Sequence, residues 1–307
     1  MIDFKKLSEQ LNGNNFIIGV SGGIDSIFLL DLVIKNRKVL PDFKVVHVNH
    51  QISNNSNDWE YSVKQYCIDN NVECLSYKVD IGSGNLEKQA RIARYAVFSN
   101  QPEKFILLAH HKNDHIETFF LKCFQGSSIK GIAGMQYSCP SWMNKNQTII
   151  RPLLAISKEE IINYAAINNL SWVEDESNQD INFDRNWIRK ILSPLIANKF
   201  NNVSNNICLV MKHLSDAHEL HVDLAKIDEI SVMNDGYIVW NKFIELSEIR
   251  MNNFLRYLLG ENKIYGCSVK QMEAFCVSLK KGTMDTKNEM IIGNHRIHKI
   301  GNKIFVK

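Results

Sequence analysis

At 307 residues the chain exceeds one average domain, and two are expected. Hydrophobic residues at 45% and charged residues at 22% exclude disordered and fibrous classes. The net charge is only +3, no apolar run approaches the roughly 18 residues of a membrane span, and Met1-Ile2-Asp3-Phe4-Lys5-Lys6 is followed by no signal-peptide core, so a cytoplasmic protein without a membrane partner is expected. In chain order, Phe16-Ile17-Ile18-Gly19-Val20 reads as a buried parallel strand, and Ile27-Phe28-Leu29-Leu30 with Leu32-Val33 switches to helical spacing. The turn Ser21-Gly22-Gly23-Ile24-Asp25-Ser26 therefore joins strand to helix. Gly22 and Gly23 let a ligand approach the backbone, and the N–H groups from Gly23 to Ser26 sit at the positive end of the helix, where a multiply charged phosphate fits. The lysine of GxxxxGK[ST] is missing, which excludes the Walker loop. A plain Ser-capped turn, with Asp25 adding a helix-dipole contact, has the same sequence.

Alternation continues through the first half. Phe43 to Asn49 is a strand, Asp58 to Asp69 a helix, Cys74 to Val79 a strand, Leu86 to Phe98 a helix, Phe105 to Ala109 a strand and Asp114 to Phe124 a helix. That is the pattern of a doubly wound parallel sheet, in which ligands lie beyond the carboxyl ends of the strands. The polar clusters fall there: His47-Val48-Asn49-His50, then Ala109 to Thr118, then Glu174-Asp175-Glu176-Ser177-Asn178 after an expected strand at Leu170-Ser171-Trp172-Val173. The seven cysteines form no CxxC, which argues against zinc and iron–sulfur sites.

Past residue 200 the pattern changes. Val203 through Ile230 reads as one long helix linking two domains, followed by a strand at Tyr237 to Trp240, helices near Leu246 to Leu259 and Ser268 to Lys281, and a hairpin of Met290 to Ile292 with Ile304 to Val306. Lys263 to Lys307 holds eight Lys and one Arg against Glu273, Asp285 and Glu289, a net of +6 in a chain of +3. The basic excess lies where a polyanion could dock, although a charge run is also the mark of an ordinary solvated surface. No pattern bears on oligomeric state.

The string SGGxDS at Ser21 resembles the pyrophosphate loop of enzymes that split ATP between its α and β phosphates. With HVNH at His47, LEKQARIARY at Leu86, AHHKNDHIET at Ala109, GSSIKGIAGM at Gly126, RPLL at Arg151, EDESNQD at Glu174 and RNWIR at Arg185 in the same order, the chain resembles the tRNA(Ile)-lysidine synthases over roughly residues 14–195. It departs from them at Asn113-Asp114, where two aspartates are usual, and after HVNH, where Gln51-Ile52-Ser53 replaces a basic residue.

The resemblance implies an α/β pyrophosphate-loop fold (adenine-nucleotide α-hydrolase-like) over residues 1–200, a helical linker over 201–235 and a smaller C-terminal α+β tRNA-binding domain over 236–307, the shorter form of the family. It implies that ATP adenylates C2 of the wobble cytidine of a tRNA(Ile) with a CAU anticodon, and that L-lysine then displaces AMP. On that reading Ser21, Gly22, Gly23, Ile24 and Ser26 hold the pyrophosphate, Asp25 holds or orients Mg²⁺, and the backbone of Val48, flanked by His47 and His50, reads adenine. Arg91 and Arg185 clamp the α phosphate or the adenylated base, and Asp114 with His110 serves the lysine amine. Arg189, Lys280, Lys281 and Lys299 meet tRNA. Plainer structural readings stand beside these: Glu87 with Arg91 as an i,i+4 surface pair, Arg185 and Arg189 as a solvated helix face, a histidine capping the helix after Ala109, and Asp175 and Asn178 as Asx caps. A pyrophosphate-loop thiolase or amidotransferase, or a nucleotide-sensing RNA-binding module, is the alternative function.

Overall fold

The computed structural model describes residues 2–82, 84, 86–174 and 180–307, so the Asx caps expected at Asp175 and Asn178 lie outside the described residues. The chain divides into two compact units, residues 1–211 and 212–307. The first opens with α1 (Phe4–Leu11), β1 (Phe16–Gly19), α2 (Ile24–Lys35), β2 (Phe43–Asn49), α3 (Ser56–Asp69), β3 (Cys74–Lys78), α4 (Leu86–Ser99), β4 (Phe105–Leu108) and α5 (Lys112–Phe124). It continues through α6 (Ile129–Ile132), β5 (Ser138–Pro140), β6 (Thr148–Ile150), α7 (Lys158–Ile167), α8 (Asp184–Trp187), a π turn at Ile188–Leu192 and α9 (Ser193–Lys199).

The six strands run in the order β3-β2-β1-β4-β6-β5, and all pairs are parallel except β5 with β6. From β1 the chain steps outward to β3 and then returns to place β4 on the other side of β1. The switch point therefore lies between β1 and β4, where such sheets bind ligands beyond their carboxyl ends. Helices cover both faces, which explains why Phe16, Ile17 and Ile18 are all fully buried and read as a run rather than an alternation. Phe16, Ile18, Val45, Leu107 and Ile150 pack toward α2, and Ile17, Val46, Ile106 and Ile149 pack with Tyr95 and Phe98 of α4. Gly19 is needed by this packing, since a Cβ there would meet the Phe98 ring at 2.7 Å and Leu108 at 2.8 Å.

Leu170–Val173, expected as a strand, pairs with no sheet; instead the Val173 N–H donates to the Gly22 carbonyl (3.1 Å) and braces the loop after β1. The helix expected to link the two domains over 201–235 forms over nearly that span. Residues Val203–Val232 form a single helix, α10, and its Ala225 and Val232 belong to the core of the second unit.

That second unit holds β7 (Met233–Asn234), β8 (Tyr237–Val239), α11 (Trp240–Phe243), α12 (Glu248–Glu261), α13 (Val269–Lys281), β9 (Glu289–Ile292), β10 (His295–Ile300) and β11 (Lys303–Val306). Its antiparallel sheet has the order β7-β8-β11-β10-β9, so the expected hairpin is interrupted by β10, which pairs with both of its intended partners. In β10, Ile297 and Lys299 both face the core. Lys299 is thus corrected as a tRNA contact. It is 2% exposed, its ammonium donates to the carbonyls of Thr283, Met284 and Thr286 (2.8, 2.9 and 3.1 Å), and it lies 4.4 Å from the Trp240 ring centroid. All three of its donors are spent on closing the loop before β9.

Candidate functional site

The turn after β1 is built around one hydroxyl. Ser26 Oγ accepts from the N–H groups of Ser21 and Gly22 (both 3.2 Å), donates to the Gly23 carbonyl (2.8 Å) and meets Ser21 Oγ at 3.2 Å. Ser26 is buried, and its hydroxyl, expected to meet pyrophosphate, is engaged inside the loop and shapes its backbone. Gly22 has φ +93°, and a Cβ on it would press Val173 at 3.0 Å; both reasons require glycine. Gly23 caps α2 with no side chain, and a Cβ there would meet only Ser21 Oγ at 3.6 Å. The space beside it is open to a ligand. Helix geometry leaves the N–H groups of Ile24 and Asp25, in the first turn, without a carbonyl partner.

On the other side of the switch point, α5 begins with a reciprocal cap. His111 Nδ1 accepts from the N–H groups of Asn113 (3.2 Å) and Asp114 (3.4 Å), while Asp114 Oδ2 accepts from the His111 N–H (3.1 Å). The capping histidine is therefore His111, and its proton sits on Nε2. That nitrogen lies 3.6 Å from Asp114 Oδ2 and 3.6 Å from Asp25 Oδ1, which brings together two carboxylates from different elements. Two carboxylates beside a phosphate loop suit Mg²⁺, which binds through one or two carboxylates plus substrate phosphates and keeps its remaining waters. The described residues hold no group of three or more His, Cys, Asp or Glu able to cage a metal.

Burial raises the Asp114 pKa, but His111, His110, the His111 N–H and Arg185 outweigh it and hold the carboxyl below its ordinary value. Burial first, then Arg151, Arg91 and Arg185 against the opposing pull of Asp114, lower His110 to about 3. Both groups are weak bases at neutral pH: Asp114 is suited to binding a cation, and His110 is uncharged.

Glu117, one turn along α5 and 1% exposed, gathers the arginines. Arg189 donates to it from Nε (2.6 Å) and Nη2 (3.0 Å) and reaches Asp114 Oδ1 at 3.3 Å; Arg185 lies 3.4 Å from Glu117 through Nε and donates to Thr118 Oγ1 (3.2 Å). Arg189 is thus part of the carboxylate cluster rather than a free cation for RNA phosphates. Glu117 carried two signals in the sequence, its place in the AHHKNDHIET string and its spacing i+3 from Asp114 on one face of α5, but its arginine partners come from a distant segment. Arg91 is exposed, with its guanidinium 5.4 Å from the Tyr95 centroid, and Glu87 approaches Arg185 (4.0 Å).

At the end of β2, the buried His47 donates from Nδ1 to the Val20 carbonyl (2.8 Å), and burial lowers its pKa. The Val46 carbonyl faces β1 and accepts from Val20 (3.1 Å). By strand alternation Val48 presents its N–H and C=O to the same side, past the end of β1. His50 is lowered to about 4 by burial and by Arg94, whose Nη2 is 3.4 Å from His50 Nε2.

A doubly wound sheet with SGGIDS at its switch point is the arrangement of a PP-loop nucleotide-binding protein, and a family model described as a PP-loop domain matches residues 1–196. A tRNA(Ile)-lysidine synthase of Wigglesworthia glossinidia brevipalpis is 32% identical over 325 residues, covering 98% of this chain and 78% of that protein. Those of Nitrosomonas europaea (32%, 85% of this chain) and Legionella pneumophila strain Lens (33%, 81% of this chain) are similar, and the chain spans 58% of the length of each. The chain belongs to the PP-loop family and, within it, to the tRNA(Ile)-lysidine synthases. Among solved structures, the U34-tRNA thiolase NcsA from Methanococcus maripaludis, determined with its [4Fe-4S] cluster, shares the fold (TM-score 0.56, 15% identity, 69% of this chain and 78% of that one).

Proposed function

We propose that this chain uses ATP to adenylate C2 of the wobble cytidine in the CAU anticodon of a minor tRNA(Ile), and then joins L-lysine there to form lysidine with loss of AMP. The observation that carries this reading is the convergence, at one switch point, of the SGGIDS loop with Asp114, Glu117, Arg185 and Arg189. The loop backbone and the start of α2 hold the β and γ phosphates as pyrophosphate leaves. Mg²⁺, if held by Asp25 with the phosphates, would supply charge neutralisation on the leaving group. The Val48 backbone meets the adenine edge, and Arg185 and Arg91 face the α phosphate and the activated base.

In the second step the lysine amine attacks C2, and the C2–O bond to the adenylate breaks. Asp114, whose carboxyl burial raises but His111, His110, the His111 N–H and Arg185 together hold below its ordinary value, binds and orients the ammonium as a positioning group, and the amine's proton leaves through solvent. Incubation of tRNA with ATP and labelled lysine, followed by mass spectrometry, tests the reading. Label at one anticodon cytidine supports it, whereas sulfur gain, or nucleotide binding without turnover, refutes it in favour of a thiolase or a sensing module.

A further inference from the structure

The SGGIDS loop has no lysine of its own, and the fold brings one from elsewhere. Lys158, the first residue of α7, places its ammonium 2.6 Å from Asp25 Oδ1 at the mouth of the loop. Its backbone is anchored on two sides. The Lys158 N–H donates to Asn113 Oδ1 (3.0 Å), the Lys112 N–H donates to the Ile156 carbonyl (2.9 Å), and Ser157 caps α7 through a reciprocal pair with Glu160. Asn113 thus serves as an acceptor that ties the start of α7 to the start of α5.

An ion pair whose two side chains are each about one-third exposed contributes little to folding, so stability alone gives this lysine no reason to be there. Its position does. A pyrophosphate entering against the α2 N-terminus would carry several negative charges past Asp25 and Asp114, and Lys158 is the cation standing at that entrance.

We propose that Lys158 is a phosphate-binding residue latched to Asp25 in the nucleotide-free chain. As the polyphosphate enters, the ammonium exchanges the carboxylate for a phosphate oxygen and releases Asp25 Oδ1. No covalent bond changes. The inference rests on the pyrophosphate-loop reading of Ser21 to Ser26.

Calorimetric titration of the full chain with inorganic pyrophosphate, in buffer freed of divalent metal, tests it. Lys158→Ala weakens binding about 10- to 100-fold, the scale of one charge-assisted hydrogen bond, and Lys158→Arg restores most of it. Asp25→Asn, which opens the latch, binds pyrophosphate more tightly than wild type, and that gain disappears in Asp25→Asn/Lys158→Ala. Affinity of Lys158→Ala within twofold of wild type overturns the inference while leaving the loop reading intact, as does an Asp25→Asn gain that survives undiminished without Lys158. Wild-type chain that binds neither pyrophosphate nor α,β-methylene ATP overturns the loop reading, and the inference falls with it.

Discussion

At the residue scale the site separates groups that hold from groups that shape. Asp25 is the proposed holding group: it projects from the first turn of α2 and is one-third exposed, so Asp25→Ala should cut ATP-dependent formation of AMP and pyrophosphate by about 100-fold or more with thermal stability nearly unchanged. Normal pyrophosphate release by that variant would refute the assignment. Asp114 does both, since one oxygen closes the α5 cap and the other meets Arg189. Asp114→Asn keeps an acceptor for the His111 N–H and removes the charge that binds an ammonium. Lysine transfer should fall about 100-fold more than adenylation, so adenylated tRNA accumulates in single-turnover reactions. Equal loss of both steps would assign Asp114 to metal or nucleotide instead.

At the element scale the loop depends on how closely α4 approaches β1. Phe98 lies where a Cβ at position 19 would project, so Gly19→Ala is an overpacking change inside a parallel strand and should cost about 1–3 kcal/mol, read as a lower urea midpoint. Phe98→Leu in the same chain should recover part of that loss; an additive pair of losses would show that the two positions do not share the space. Chain tracing from sequence alone missed this constraint because glycine in a strand also marks bulges and turns. Helix α7 has only a weak apolar stripe, Ile161 and Ala165, although Ser157 with Glu160 is a capping-box pattern readable in the sequence, and the meeting of Lys158 with Asp25 is not local at all.

At the scale of the whole molecule, charge and acidity give two further expectations. His50, His110 and His115 are each lowered, chiefly by burial and then by neighbouring arginines, to about 4, about 3 and about 4 from an ordinary 6.5; for His110 the charge of Asp114 opposes this. As pH falls below about 6.5 the unfolded chain takes up protons that the native chain refuses, so stability is full above that pH and declines toward pH 4. Urea midpoints measured from pH 7 to pH 4 should fall, and His115→Gln should flatten the decline; a flat wild-type profile would contradict the burial of these rings. In the second unit, Lys280 and Lys281 end α13 as exposed residues, whereas Lys299 lies in the core. Neutralising Lys280 and Lys281 should weaken tRNA binding and reduce its log–log salt slope by about 0.7–0.9 per lost phosphate contact, without changing ATP affinity. Lys299→Met should instead lower thermal stability and leave the salt slope alone. Filter binding over a salt series separates the two.

Much of this was legible in the sequence because it depends on local chemistry. The strand-turn-helix at Phe16 to Val33, the alternation up to Phe124 and the polar clusters at strand ends follow from short-range periodicity and from the backbone freedom of glycine, and they are enough to specify a doubly wound sheet and its phosphate-binding end. Side-chain partnership is not local. Whether Lys299 meets solvent or three carbonyls, whether Arg189 meets RNA or Glu117, and whether a lysine reaches the loop from 133 residues away are decided only when distant elements pack. A lysine has the same sequence signature in both settings, because its long stem lets its ammonium either extend into water or turn back to a buried acceptor, and only the tertiary structure supplies the acceptor.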